Sequence, residues 1–169
     1  PTRQDHMAAT APFVDAYHRD GFVELPNLPG DTPLDRILSV PAGLVITDIL
    51  GHPGGVSQVR PAGGVDMEWV ALDDDDGIEA WVSTGTRGSA LFAPGSHLTH
   101  EVDEVQLWTP TPGTALLLAP GVSRRVLDPL DAAIISIRSI QTSGHLGQPR
   151  YVSDGDLLAG WLFPQVGRP

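Results

Sequence analysis

Residues 78–97 read IEAWVSTGTRGSALFAPGSH, and this stretch decides the fold class that the sequence predicts. Residues 78–83 and 90–93 are short runs of β-branched, aromatic and small apolar residues, a composition that favours strands. Glycines separate the two runs, and the turn signal Pro-Gly-Ser at 94–96 follows the second. Short strands at such close spacing are typical of antiparallel sheets, so the stretch predicts an all-β core.

Short strand-forming runs separated by turn residues extend along most of the chain. Two amphipathic segments, at 9–20 and from Thr32 onward, predict short N-terminal helices, and residues 22–25 between them predict a short strand. Further candidate strands cover 44–49, 56–60, 67–72, 78–83, 90–93, 105–108, 114–118, 122–127 and 133–140. About nine strands after two helices predict a barrel or sandwich with a helical N-terminal flank.

Composition limits both the organisation and the partners of the chain. A length of 169 residues predicts one domain spanning 1–169, and no cysteine is available for disulfides, thiolate catalysis or iron–sulfur clusters. All ten basic residues are Arg against 21 acidic ones, and the net charge of -11 argues against nucleic acid or an anionic membrane as partner. We expect a soluble, cytoplasmic protein with a small-molecule substrate. The oligomeric state stays open, with a homodimer as one alternative.

Two clusters invite a metal-site interpretation. The run Asp73-Asp74-Asp75-Asp76-Gly77 lacks the alternating ligands and distant Glu of a calcium loop, so a solvated turn is favoured over a cation site. His97 and His100 near Glu101 suggest a cupin-like cluster, but they follow a Pro-Gly-Ser turn. A loop in which His97 bonds the backbone is therefore favoured. The spaced pair His18 and Asp20 ends the first helix, where a capping or surface role is expected.

Arginines and tryptophans supply candidates for a ligand pocket. Arg60, Arg124, Arg125 and Arg138 fall in or beside predicted strands, where an inward guanidinium is an anion clamp and an outward one is solvated. Aromatic walls suit polycyclic or polyketide-like ligands, although core packing alone explains most buried tryptophans. The four tryptophans are Trp69, Trp81, Trp108 and Trp161.

Several motifs in order resemble the phytanoyl-CoA dioxygenase family of iron and 2-oxoglutarate dependent oxygenases. The similar segments are YHRDGFVELP at 17–26, IEAWV at 78–82, GSALFAPGSH at 88–97, PGTALLL at 112–118 and RYVSDGD at 150–156. The resemblance implies a mainly β, double-stranded β-helix fold of the jelly-roll or cupin type. It covers most of the chain, with the family's insertions much shortened.

The family's metal ligands have no match at the corresponding positions. Its His-x-Asp pair corresponds to Val70 and Leu72, and a shifted register offers Asp74 or Asp76 but no His. Its distal His corresponds to Arg124. The Arg that holds 2-oxoglutarate corresponds to Ala132 or Ala133, with Arg138 as a displaced substitute. Apolar and cationic side chains do not ligate Fe(II), so neither a metal nor a cofactor is expected.

The favoured hypothesis is therefore a metal-independent enzyme that cyclises, isomerises or dehydrates a natural-product intermediate. Such catalysis needs a substrate folded into a reactive conformer and one or two acid, base or hydrogen-bonding groups. In a strand over 67–72, Asp66, Glu68, Val70 and Leu72 share one face, and the resemblance makes that face the inward one. The candidate catalytic residues are Arg124, Glu68 and Asp66, and the candidate substrate-binding residues are Trp69, Val70, Leu72, Trp81, Arg60 and Arg138.

Two alternatives stay open. One is an Fe(II) and 2-oxoglutarate dependent oxygenase with an atypical site that uses Asp74 or Asp76 with His97 or His100. The other is a non-catalytic small-molecule-binding protein, such as a carrier in a biosynthetic cluster. Bound iron and succinate formation distinguish the first alternative, and binding without turnover distinguishes the second.

Overall fold

The computed structural model describes residues 3–72 and 77–139, with the side chains of residues 3–6 left aside. The helices in this part are α1 (Arg3–Asp20), α2 (Pro33–Ile37), α3 (Val40–Leu50) and α4 (Ser96–Thr99). The strands are β1 (Phe22–Leu25), β2 (Gly54–Pro61), β3 (Gly77–Ser83), β4 (Ser89–Phe92), β5 (Gln106–Trp108), β6 (Ala115–Leu118), β7 (Arg124–Asp128) and β8 (Ala132–Ser139). None of these helices combines the length and the apolar character that crossing a membrane requires.

The strands form two antiparallel sheets that face each other. The large sheet has the order β1-β6-β3-β8-β2, and the small sheet has the order β5-β4-β7. From β3 to β8 the chain passes back and forth between the two sheets: β3, β6 and β8 belong to the large sheet, and β4, β5 and β7 belong to the small one. The strands therefore wind around a shared interior. This arrangement is a double-stranded β-helix, and it confirms the predicted mainly β fold class.

Each face of the large sheet covers a separate part of the core. Helices α1 to α3 pack on the outer face, against residues such as Ala80 and Val82 of β3. The inner face meets the small sheet through a cluster rich in aromatic rings, in which Trp81 is 2% exposed and Phe92 is fully buried. Because side chains alternate along a strand, Glu79 and Trp81 both face the space between the sheets.

Most predicted strands are confirmed, with boundaries shifted by at most two residues. The first helix ends at Asp20 as expected and begins earlier, at Arg3. The hydroxyl of Thr32 accepts a hydrogen bond from the Asp35 backbone N–H at 3.1 Å, so Thr32 is the N-cap of α2. The last predicted strand lies within β8 up to Ser139, and its final residue falls outside the described part.

The strand predicted over 44–49 is wrong, because this segment belongs to helix α3. Proline stands in the first turn of α3, where a missing N–H costs nothing, and Gly51 ends the helix with a left-handed φ of 73°. The buried positions recur three and four residues apart, as one helix face requires. These positions include Ala42, Val45 and Ile46.

The strand predicted over 67–72 is also wrong. This segment follows the free edge of β7 but forms only an isolated bridge, in which Val70 and Arg124 exchange backbone hydrogen bonds of 2.8 and 2.9 Å. At Asp66, a side-chain oxygen accepts the Val126 N–H at 3.0 Å. A carboxylate thus takes a backbone donor that a paired strand would use, and the regular ladder does not form.

Candidate active site

A carboxylate on the inner face of β3 organises the candidate site. The side chain of Glu79 is only 13% exposed, so its charge requires hydrogen-bonding partners. Its Oε1 accepts the indole N–H of Trp81 at 2.7 Å and a guanidinium N–H of Arg124 at 2.5 Å. Its Oε2 accepts a more distant N–H of Arg60 at 3.4 Å. Three donors from three strands therefore meet at one buried carboxylate.

Arg124 is the cation that this carboxylate holds most closely. It begins β7, opposite Val70, and its side chain is 10% exposed. Its guanidinium carbon lies 5.3 Å from the ring centroid of Trp81, within range of a cation–π contact. The ion pair and the ring together offset the cost of burying the guanidinium and fix its orientation.

Arg60 adds a second, looser cation on the same side of the large sheet. Its side chain is 36% exposed, and its longer distance to Glu79 makes the contact weak. Two guanidinium groups therefore face one carboxylate. The cluster of Arg60, Glu79 and Arg124 carries an excess of positive charge in a strongly acidic chain.

A small pocket adjoins this cluster. Its volume is about 50 Å³, room for a few water molecules or one polar functional group of a ligand. Pockets that enclose a whole drug-sized ligand measure roughly 300–1,000 Å³. The polar lining includes Glu79, Arg124, Ser136 and Arg138, and the apolar lining includes Leu72. The space suits the polar end of a substrate.

The structure brings only some of the predicted site residues together. Arg124, Arg138 and Leu72 line the pocket, while Trp81 and Arg60 reach it through Glu79. The proposed roles of these residues stay predictions.

Other predicted residues lie elsewhere. The inference that Asp66, Glu68, Val70 and Leu72 share one inward strand face is wrong, because 67–72 is not a strand. Glu68 is exposed, and the Asp66 carboxylate bonds the β7 backbone. Neither these two residues nor Trp69 and Val70 line the pocket. Residues 73–76 and Trp161 lie outside the described part of the chain.

Glu79 is the site residue that sequence reasoning missed. The sequence does show an acidic residue two positions before Trp81 in an otherwise apolar strand. In a strand, side chains two positions apart lie on the same face, so Glu79 shares the face of Trp81. Its main partner is 45 residues away along the chain. The tertiary pairing that explains a buried acid was therefore not readable from the local pattern.

His97 takes the structural role that the sequence analysis predicts. The Nε2 of His97 lies 2.8 Å from the backbone oxygen of His18, which confirms the expected backbone bond and fixes the end of α1 against α4. Asp20 pairs with Arg19 at 2.9 Å. Across 3–72 and 77–139, no three His, Asp or Glu residues come together in a group that fits a metal ion.

The described residues around the pocket do not fit an iron centre of the kind the resemblance implies. Val70 offers no donor atom, and the Arg124 side chain brings a fixed positive charge to the opposite position. Among the described residues that line the pocket, Glu79 is the one anionic side chain, and its oxygens already accept three N–H groups. A divalent cation there would displace Arg124 from its carboxylate and lie beside the released charge.

The two facing antiparallel sheets define a double-stranded β-helix protein with a small polar pocket at Arg124. Comparison with solved structures finds SnoN, described as a non-heme alpha ketoglutarate dependent epimerase from nogalamycin biosynthesis, at 13% identity and a TM-score of 0.57, covering 78% of this chain and 84% of that one. EctD from S. alaskensis is similar at 13% identity and a TM-score of 0.56, covering 78% and 77%. No protein-family model and no curated protein matches the sequence. At such identities the similarity shows the fold alone.

Proposed function

We propose that this chain is a metal-independent enzyme that cyclises, isomerises or dehydrates a polyketide-like natural-product intermediate without a redox step. The observation that supports the proposal most is Arg124, buried at the pocket and held by Glu79 where the resemblance places a metal ligand. SnoN offers an analogy, because it is similar in fold and its description places it in nogalamycin biosynthesis. The proposal takes a small molecule as substrate, uses neither a nucleic acid nor a membrane, and assigns the enzyme to the cytoplasm.

Arg124 acts by stabilising negative charge. A guanidinium stays protonated at any working pH, so it donates hydrogen bonds and does not transfer protons. Cyclisation, isomerisation and dehydration of a polyketone all place negative charge on a carbonyl oxygen as an enolate forms. A donor already oriented in a dry site stabilises that oxyanion without reorganisation, which is commonly worth a factor of roughly 10²–10³ in rate.

Glu79 is a positioning residue in this mechanism. Its two oxygens already accept N–H groups from Arg60, Trp81 and Arg124, so it holds these side chains in place at the pocket. Asp66 and Glu68, the bases predicted from the sequence, lie outside the pocket. The chain therefore folds the substrate and stabilises its enolate, while the protons exchange with water.

The test uses chelator-treated protein and a panel of linear β-polyketone thioesters, with products followed by liquid chromatography and mass spectrometry. We expect a product of unchanged mass, or one lighter by water, to form faster than in buffer. Arg124→Gln should slow the reaction by about 10². Arg125→Gln is the matched control, because Arg125 is the next residue of β7 and bonds the Asp66 backbone oxygen instead.

The other outcomes separate the alternatives. Iron-dependent formation of succinate from 2-oxoglutarate would contradict metal independence and support the atypical oxygenase. Binding of a polyketone with no acceleration over buffer would contradict the enzyme and support a carrier. Equal losses in Arg124→Gln and Arg125→Gln would remove Arg124 from the mechanism.

A further inference from the structure

A second cavity lies where the outer edges of the two sheets approach each other. It measures about 420 Å³, within the roughly 300–1,000 Å³ of typical ligand pockets. Strand β1 ends the large sheet and β5 ends the small one, and residues of both line the cavity together with the end of α1. We name it the edge cleft. It shares no lining residue with the pocket at Arg124.

Buried aromatic rings form the floor of the edge cleft, while its exposed lining is mainly polar and includes a carboxylate. Phe22, Phe92 and Trp108 contribute to the lining, and all three are almost fully buried. The indole N–H of Trp108 donates to Oε2 of the exposed Glu24 at 2.7 Å. This bond holds the Glu24 carboxylate at the cleft. No other side chain or backbone group of the described residues hydrogen-bonds or forms an ion pair with that carboxylate.

The charged groups at the edge cleft are acidic. Among the described residues, its lining includes Glu24 and Asp20 and no basic side chain. Asp20 is already paired with the neighbouring Arg19, so Glu24 carries the charge that a ligand would meet. Glu101, Asp103 and Glu104, all exposed, precede β5 and add negative potential at the same end of the molecule.

We propose that the edge cleft binds a primary ammonium group, with Glu24 as its counterion and the aromatic floor beneath the rest of the ligand. An ammonium donates charge-assisted hydrogen bonds to a carboxylate and is attracted to aromatic faces. The amide of Gln106 and the hydroxyl of Thr109 at the rim supply further acceptors. An anionic ligand would be repelled by the Glu24 carboxylate, and an apolar one would leave the Glu24 charge without a counterion. This inference is independent of the proposed enzyme activity.

The test compares three ligands of similar shape on the full chain. These are 2-phenylethylammonium, the anion 3-phenylpropionate and the neutral 2-phenylethanol. Binding is followed by nuclear magnetic resonance at the indole N–H signal of Trp108, assigned by its loss in Trp108→Phe. We expect saturable binding of the ammonium with a millimolar dissociation constant, and at least tenfold weaker binding of the other two. A lysine-containing tripeptide tests whether the ammonium comes from a protein side chain, and tighter binding of the tripeptide would indicate that source.

Two isosteric variants separate a contact from the general negative field. Glu24→Gln removes the charge but keeps an oxygen for the Trp108 N–H, so the fold should persist, and we expect at least fivefold weaker binding. Glu104→Gln removes the same charge from a neighbouring exposed position that does not line the cleft, and it should bind within twofold of wild type. Equal binding of the three phenyl ligands, no saturable binding of either ammonium ligand, or equal losses in the two variants would overturn the proposal.

Discussion

Two tryptophan–glutamate pairs share one geometry and differ in their surroundings. Trp81 donates to Glu79 and Trp108 donates to Glu24, each at 2.7 Å, and the two indole rings meet edge to face at 6.0 Å between centroids. Glu79 is buried and carries two arginine partners, whereas Glu24 is exposed and has none among the described residues. The same indole–carboxylate hydrogen bond thus accompanies an ion pair within the chain at Glu79 and an exposed carboxylate at Glu24.

The largest expected effect on the free energy of unfolding distinguishes the neutralisation of Glu79 from that of Glu24. Glu79→Gln leaves the buried Arg124 without its counterion, and breaking such a pair typically costs about 3 kcal/mol. Glu24→Gln keeps the indole bond at an exposed position and should cost less than about 1 kcal/mol. Urea unfolding followed by circular dichroism measures both. Losses that agree within about 1 kcal/mol would show that Glu79 and Arg124 do not form the buried pair described above.

A smaller effect separates the two arginines that contact Glu79. Arg60 is more exposed than Arg124 and lies farther from the carboxylate, so solvent and salt screen its contact. Arg60→Gln should lower the free energy of unfolding by about 0.5 kcal/mol, and 1 M NaCl should remove most of that difference. The measurement is urea unfolding at low and high salt. A salt-independent loss as large as that of Glu79→Gln would instead place Arg60 at the centre of the cluster.

Much of the fold was predictable because the strands of the two sheets are short, β-branched and separated by turn residues. The failures have identifiable causes. Helix α3 contains the same residue types as a strand, and only its 3.6-residue burial pattern and its closing Gly51 distinguish it. The residue types at 67–72 favour a strand, but the Asp66 carboxylate takes a backbone donor of the neighbouring strand. Competition of this kind depends on tertiary contact and leaves no local signal.

The site was predictable only in part. Arg124 was singled out because an arginine at a position that a resemblance assigns to a metal ligand is chemically conspicuous. Glu79 was missed because strand periodicity gives the face of a side chain but not its partner. Asp66 and Glu68 were selected on an alternation that required a strand. Pairings across 45 residues, as between Glu79 and Arg124, require the register of the assembled sheets.

The smallest effect concerns an exposed ion pair that serves as a reference for the buried one. The backbone N–H and the guanidinium of Arg87 both donate to Asp131, and these bonds hold the pKa of the Asp131 carboxyl below its ordinary value of 3.8. A lowered pKa in the folded state stabilises the protein above the unfolded-state value, and this contribution is lost as the pH falls through the folded value. Asp131→Asn should therefore lower the urea midpoint slightly at pH 6, and the difference from wild type should shrink below about pH 4. Urea unfolding curves at pH 6 and pH 3 test this. The control variant is Asp128→Asn, because the Asp128 carboxylate accepts a hydrogen bond from the neutral hydroxyl of Ser89. A difference that persists unchanged at pH 3 would mean that Asp131 acts through its shape in the turn and not through its charge.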